Sequence, residues 1–297
     1  MRPGAGTNVR VIARLDIKGP NLVKGIHFEG LRVLGKPEDF ARRYYEEGAD
    51  ELFYMDAVAS LYDRNSLLDI IRRTARHMFI PLTVGGGLRT VDDIRTVLRA
   101  GADKVALNTA VVKTPELIRE AARSFGSSTV VVSIEAMRKP DGFCEAYVDY
   151  GRQATGVDAI SWAVRAAELG AGEIAVTSID REGTGRGFDI ELIRQVAESV
   201  PVPVIAGGGA GTIAHVRDGL VRGKADAVCL ASMLHYHVVR TNRYVVGEFE
   251  SEGNIDFLVR RRKHHQDFSM VMGVSLGEIK DHLISGGLVC RPTGEAT

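Results

Sequence analysis

The sequence predicts an α/β fold: a (β/α)8 TIM barrel built from two half-barrel repeats. Three observations predict it. Eight short β-branched runs alternate with amphipathic helical stretches, the pattern of a parallel sheet with crossover helices. Eight strands close into a barrel whose interior side chains can fill. The segment IPLTVGGGLRTVDDIRTVLRAGADKVALNTA (80–110) returns as VPVIAGGGAGTIAHVRDGLVRGKADAVCLASM (202–233), so the chain reads as two similar halves. A half-barrel alone leaves sheet edges unpaired, which favours joining the two. A doubly wound sheet would carry a Gly-x-Gly-x-x-Gly turn after its first strand, and none is present.

In chain order, strands are expected at 9–15 (VRVIARL), 51–55 (ELFYM), 80–84 (IPLTV), 103–107 (DKVAL), 129–134 (TVVVSI), 173–177 (EIAVT), 202–206 (VPVIA) and 226–230 (DAVCL). Helical periodicity falls between them at Pro37–Glu47, Leu67–Arg76, Val91–Ala100, Pro115–Ser124, Ala159–Leu169 and Ile190–Ser199. The division is a tail at 1–8, the barrel at 9–238, an insertion at 239–274, and a last helix with a tail at 275–297. The insertion carries RRRKHH (260–265), read as a solvated face with a docking or anion-binding element as the sharper alternative, and the more apolar FSMVMGV (268–274).

Composition removes several function classes. Lys+Arg and Asp+Glu balance at 38 each, so no general basic surface calls for nucleic acid or an anionic membrane. No apolar run reaches the roughly 18 residues of a membrane span. Residues 1–8 lack a signal-peptide apolar core, and Cys144, Cys229 and Cys290 form no CxxC pair. The reading is a cytoplasmic protein with reduced thiols.

Gly85-Gly86-Gly87 and Gly207-Gly208-Gly209 each follow a strand and precede a helix. Without Cβ atoms the backbone can approach a ligand and turn its N–H groups toward an anion. One strand later come Asn108-Thr109 and Ala231-Ser232, at expected helix starts. One such turn is commonly only a turn. Two at equivalent places imply an elongated substrate with a phosphate at each end. Asp16 and Glu135 end the first and fifth strands at matching points of the repeat, which suits general acid/base work across a barrel mouth. Asp56 and Asp180 end two more strands; for these an N-cap or loop ion pair is an equal reading. Lys18 and Lys24 flank the turn-prone Gly19-Pro20 and are expected to steady a phosphate or close over substrate.

Arg10, Glu51, Lys104 and Glu173 stand at strand starts, at the opposite face. Two of each sign can form a closed ring, either a stabilising plug or a gate into the barrel. His235-Tyr236-His237 invites a metal, but no third ligand stands at recognisable spacing, so no metal or other cofactor is expected. Ser60 and Ser178 have no visible His partner for nucleophilic catalysis.

The segments RLDIKGPNLVKG (14–25), GADELFYMDAVAS (48–60), IPLTVGGG (80–87), GADKVALNTAVV (101–112), GAGEIAVTSIDREGTGRGFD (170–189), VPVIAGGGAG (202–211) and LASMLHY (230–236) resemble, in order, the HisF family, the cyclase subunits of imidazole glycerol phosphate synthase. The resemblance covers roughly 9–238 and the last helix. It implies a duplicated half-barrel that takes ammonia from a glutaminase (HisH-like) subunit docked at the barrel bottom. That ammonia cleaves and cyclises the bis-phosphorylated formimino-aminoimidazole carboxamide ribulotide PRFAR into imidazole glycerol phosphate and AICAR. It further implies Asp16 and Glu135 as the catalytic pair, Gly87, Asn108 and Thr109 as the grip on one phosphate and Gly209, Ala231 and Ser232 on the other, and Arg10, Glu51, Lys104 and Glu173 as the ammonia gate.

The chain departs from the family where Glu135 replaces the usual Asp, Met137 a Lys, Arg14 a Cys and Gly207 a Ser, and where KGPN replaces KDGR. These departures resemble HisF-like paralogues that channel ammonia to a sugar amidotransferase in surface-polysaccharide biosynthesis, which stands as the alternative. An aldose–ketose isomerase like HisA is a third class, fitted less well by VKGIHFEG and TSIDREGTG.

Overall fold

The computed structural model describes residues 8–59, 67–241 and 270–293. Ser60, the basic run at 260–265 and most of the expected insertion lie outside them. Eight parallel strands form the barrel: β1 (Arg10–Lys18), β4 (Glu51–Asp56), β5 (Leu82–Gly85), β6 (Lys104–Leu107), β7 (Val130–Arg138), β10 (Glu173–Ser178), β11 (Val204–Gly207) and β12 (Ala227–Leu230). Their hydrogen-bonded order is β10-β11-β12-β1-β4-β5-β6-β7, and β7 pairs back onto β10 with Val131 beside Glu173. That last pairing closes the sheet and removes its edges.

Helices cover the outside: α1 (Pro37–Glu46), α2 (Leu68–Ala75), α3 (Val91–Ala100), α4 (Thr109–Lys113), α5 (Glu116–Phe125), α6 (Ala159–Leu169), α7 (Ile190–Ser199), α8 (Ile213–Val221), α9 (Ser232–Thr241) and α10 (Leu276–Ser285). Five of these helices start on a side-chain cap. Thr90 and Ser275 make reciprocal capping boxes with Asp93 and Glu278 at α3 and α10. Gly170 ends α6 in the left-handed region at φ 110°.

Strand alternation builds two cores. On β1, Val11, Ala13 and Leu15 pack outward beneath the helices, while Ile12 joins Phe53, Ala106, Val131, Ala175, Ile205 and Ala227 inside the barrel. The same alternation turns Arg10, Arg14 and Asp16 inward. The lumen therefore runs from a charged floor, through a middle of mainly small and apolar side chains, to a charged mouth.

The expected strands and helices all form, within a few residues of their predicted ends. The difference lies beyond the first and fifth strands. There β1 and β7 run on to Lys18 and Arg138, and each turns into an antiparallel hairpin: β2 (Asn21–Ile26) with β3 (Glu29–Gly35), and β8 (Cys144–Val148) with β9 (Gln153–Asp158). Of these segments the first was expected as a turn-prone loop at Gly19-Pro20, and no strand was expected in the second. β9 is polar and mostly part-exposed, and β2 is apolar on both faces with a glycine inside, so neither shows clean period-two alternation. The two hairpins sit at matching places, so the internal repeat extends to the mouth.

Candidate active site

Asp16 and Glu135 come to the mouth from β1 and β7, four strands apart around an eight-stranded ring. Both are buried. Glu135 accepts a hydrogen bond from Asn108 Nδ2 at 3.1 Å. Asp16 Oδ1 accepts from Arg14 Nε at 2.9 Å, and Lys24 Nζ lies 3.8 Å from Oδ2. The two carboxyls differ in acidity because their neighbours differ. Burial opposes ionisation of Asp16, but Arg14 and then Lys24 outweigh it and hold the group below the ordinary carboxylate range. Burial pushes Glu135 up to about 7, against the opposing pull of Arg14 and a backbone N–H of Gly151. A carboxylate and a carboxyl that exchanges its proton near neutrality thus share one mouth.

A cleft of about 410 Å³ opens on the Glu135 side, lined by Asp56, Gly86, Gly87, Asn108, Thr109 and Glu135. Gly86 requires its lack of a side chain: at φ 100° an added Cβ would stand 2.8 Å from the Asp56 carbonyl oxygen. Thr109 Oγ1 accepts from the Asp149 N–H at 3.0 Å, and Asp56 Oδ1 from the Val58 N–H at 3.0 Å. Arg89 and Lys113 also line this cleft and bring positive charge to it. Sequence reasoning missed both, although Arg89 follows the first triplet by two residues and Lys113 lies at the end of the helix that Thr109 begins.

The second glycine turn faces a much smaller space, about 20 Å³, lined by Gly208, Gly209, Ala231 and Ser232 with Arg14 and Glu182. A Cβ on Gly209 would meet the Gly187 carbonyl oxygen at 2.3 Å. Glu182 was also missed. It is buried and paired with Lys24. Lys24 itself lies on β2, not in an open loop, and its buried ammonium is committed to Glu182 and Asp16. Lys18, at the end of β1, is exposed. Asp180 is exposed at the rim, where its carboxylate accepts the Arg138 N–H at 2.8 Å and ties the loop after β10 to β7. Met137 packs against the barrel-interior cluster.

His235 is buried, hydrogen-bonded through Nδ1 to Tyr44 and edge-on to Phe40. Burial, with Lys24 nearby, pushes it down to about 3, so it is neutral. Among the described residues no group of three metal-binding side chains occurs.

At the barrel floor the four charged residues meet in a closed ring. Arg10 Nη1 donates to Glu51 and, at 2.9 Å, to Glu173. Lys104 Nζ reaches Glu51 at 3.1 Å and Glu173 at 3.2 Å. Each cation touches both acids, so the ring is balanced and the barrel is shut at this end.

Fold and site together define a class: half-barrel-duplicated (β/α)8 proteins with two buried carboxyls at the mouth. A family model described as "Histidine biosynthesis protein" matches residues 10–240. The chain is 59% identical over 207 residues, 70% of its length, to the imidazole glycerol phosphate synthase subunit HisF of Legionella pneumophila, of which 98% is covered. It is 50% identical over 234 residues to the HisF of Thermosynechococcus vestitus, covering 76% of this chain and 83% of that one. It is 45% identical over 234 residues to the HisF of Alkaliphilus metalliredigens, covering 79% and 93%. The chain belongs to the HisF family of imidazole glycerol phosphate synthase subunits.

Proposed function

We propose that this protein is the cyclase half of an imidazole glycerol phosphate synthase, receiving ammonia from a glutaminase subunit and converting PRFAR to imidazole glycerol phosphate and AICAR. The observation that carries the reading is the Asp16–Glu135 pair, two buried carboxyls of unequal acidity in the mouth that also holds both glycine turns. Cyclisation with loss of a leaving group needs protons removed and returned at different atoms. A pair whose environments push their pKa values apart supplies both roles. Asp16, held ionised, serves as base. Glu135, near its midpoint at neutral pH, takes or gives the second proton.

The two turns grip the phosphates at the ends of the substrate. Gly87, Asn108 and Thr109, with Arg89 and Lys113 beside them, hold one; Gly209, Ala231 and Ser232 hold the other. This spans the substrate across the mouth between the two carboxyls. Asp56 shares the first cleft, Lys18 is exposed at the end of β1, and Asp180 ties the loop after β10 to β7. The glutaminase docks at the floor, where Arg10, Glu51, Lys104 and Glu173 open to admit ammonia into the lumen. The HisF name carried by the relatives favours this reading over an ammonia conduit for a sugar amidotransferase.

The test supplies purified protein with PRFAR and ammonium salt and follows PRFAR loss. The expected result is turnover that falls by about 10²–10⁴-fold in Asp16→Asn, the range general acid/base catalysis contributes. Absence of turnover in the unmodified protein, with glutaminase activation intact, overturns it.

A further inference from the structure

The two glycine turns face unequal spaces, and Arg14 lines the smaller one. Arg14 lies on β1, one inward position below Asp16, with only 5% of its surface exposed. It lines the second cradle together with Gly209 and Ser232. Two of its nitrogens are engaged: Nε with Asp16 at 2.9 Å and Nη1 with Thr177 Oγ1 at 3.5 Å. The ring of Phe28 lies 5.4 Å from its Cζ. Nη2 is buried and has no hydrogen-bond partner among the described residues. A buried charged donor left unpaired is costly, and arginine keeps its charge throughout the accessible pH range. The only acid on the same cradle wall, Glu182, is neutralised by Lys24. Arg14, which lines a space built of glycine backbone and the start of α9, therefore carries a buried donor with no hydrogen-bond partner among the described residues.

That space holds roughly one water. A phosphoryl group enters only when the inner wall shifts, and Arg14 is the wall residue with a donor to offer in return. We propose that Arg14 is the charged ligand of the second cradle: its Nη2 hydrogen-bonds a terminal phosphoryl oxygen seated between Gly209 and Ser232, and it makes that end selective for an anion. The proposal rests on the reading above that the mouth takes a substrate with a phosphate at each end, and it adds which residue decides whether the second phosphate is held. The first cleft draws its positive charge from Arg89 and Lys113 on the surface side; the second draws it from inside the barrel.

The test uses titration calorimetry with fructose 1,6-bisphosphate and fructose 6-phosphate as two-ended and one-ended probes. The native protein is expected to bind the bisphosphate more tightly. Arg14→Met keeps the length and removes the charge. It is expected to weaken the bisphosphate by about 10–100-fold, the size of a hydrogen bond to a charged group, and to leave the monophosphate, held at the larger cleft, unchanged. A bisphosphate preference that survives Arg14→Met overturns the role of Arg14 alone. No preference in the native protein overturns the two-phosphate reading, and this proposal with it. Should Arg14→Met fail to fold, a crystal structure of the native protein soaked in inorganic phosphate decides the matter. Nη2 within about 3.2 Å of an anion oxygen at Gly209–Ser232 supports the proposal. An anion there with Arg14 still bonded only to Asp16 and Thr177, or no anion there, overturns it.

Discussion

One methylene and one neighbour set the character of Glu135. Asn108 holds one of its oxygens, and burial raises its pKa from 4.5 to about 7 against the pull of Arg14. A carboxyl raised on folding contributes stability that is complete below its unfolded pKa and is lost as pH climbs through its folded pKa. The window is therefore about pH 4.5 to 7. Glu135→Gln keeps the shape and never ionises. At pH 8.5 it is expected to be more stable than the native protein, by at most about 3 kcal/mol at 1.36 kcal/mol per pKa unit. At pH 4.5 the two should unfold at the same urea concentration. Equal gains at both pH values would mean that the carboxylate is not strained by burial. The same substitution removes the proton exchanged near neutrality, so turnover should fall while stability rises, the mark of a group kept for chemistry. The sequence located this residue through the repeat that sets it opposite Asp16. It did not show which of the two is the weaker acid, because that depends on Asp16 having both the Arg14 hydrogen bond and Lys24 beside it, while Glu135 feels Arg14 without a bond to either cation.

At the scale of elements, the barrel strands and the helices around them were legible because β-branched runs alternate with stretches of helical period, and because one half repeats the other. Less legible were contacts that cross between elements with no local pattern. The hairpins after β1 and β7 are the first case, and they bring Lys24 and Tyr150 into the mouth. Lys280 is the second. On α10 it reads as an ordinary surface lysine, yet it is fully buried, donating to the Gly48 carbonyl at 2.7 Å and Asp50 Oδ1 at 2.6 Å. Asp50 in turn accepts the Val11 N–H at 2.7 Å, so the last helix is pinned through one carboxylate to the start of β1. Removing one partner of a buried pair leaves the other charge uncompensated. Lys280→Met is expected to cost about 3–5 kcal/mol, somewhat less where Arg291 takes over Asp50, to which it is already bound at 3.2 Å. Asp50→Asn in the Lys280→Met background should recover part of that loss. A thermal melt of the double variant no higher than that of the single would show that packing, not charge, holds α10.

Taken as a whole, the molecule is a tube with chemistry at one end and a closed ring of charge at the other. A plug and a gate have the same resting geometry, so what separates them is the consequence of breaking the ring. As a plug, Arg10, Glu51, Lys104 and Glu173 matter only for stability. As a gate, they matter for coupling. The lumen above them is lined by Ile12, Ala106, Val131, Ala175 and Ala227, which offer a migrating ammonia no charged group to stop it below the mouth. One acceptor in the ring is uncommitted: Glu173 Oε2 is buried without a hydrogen-bond partner among the described residues. Lys104→Ala removes two of the four ion pairs and opens the floor while Arg10 still bridges both acids. The loss in stability should be about 1–3 kcal/mol, between exposed and buried pairs. The larger effect is expected in the complex with glutaminase. Glutamine consumed per product formed should rise as ammonia escapes at the floor, while turnover on added ammonium salt, measured without the partner, stays at the native rate. A lowered melting temperature with the glutamine-to-product ratio unchanged would return the ring to the role of a plug and send the ammonia by another route.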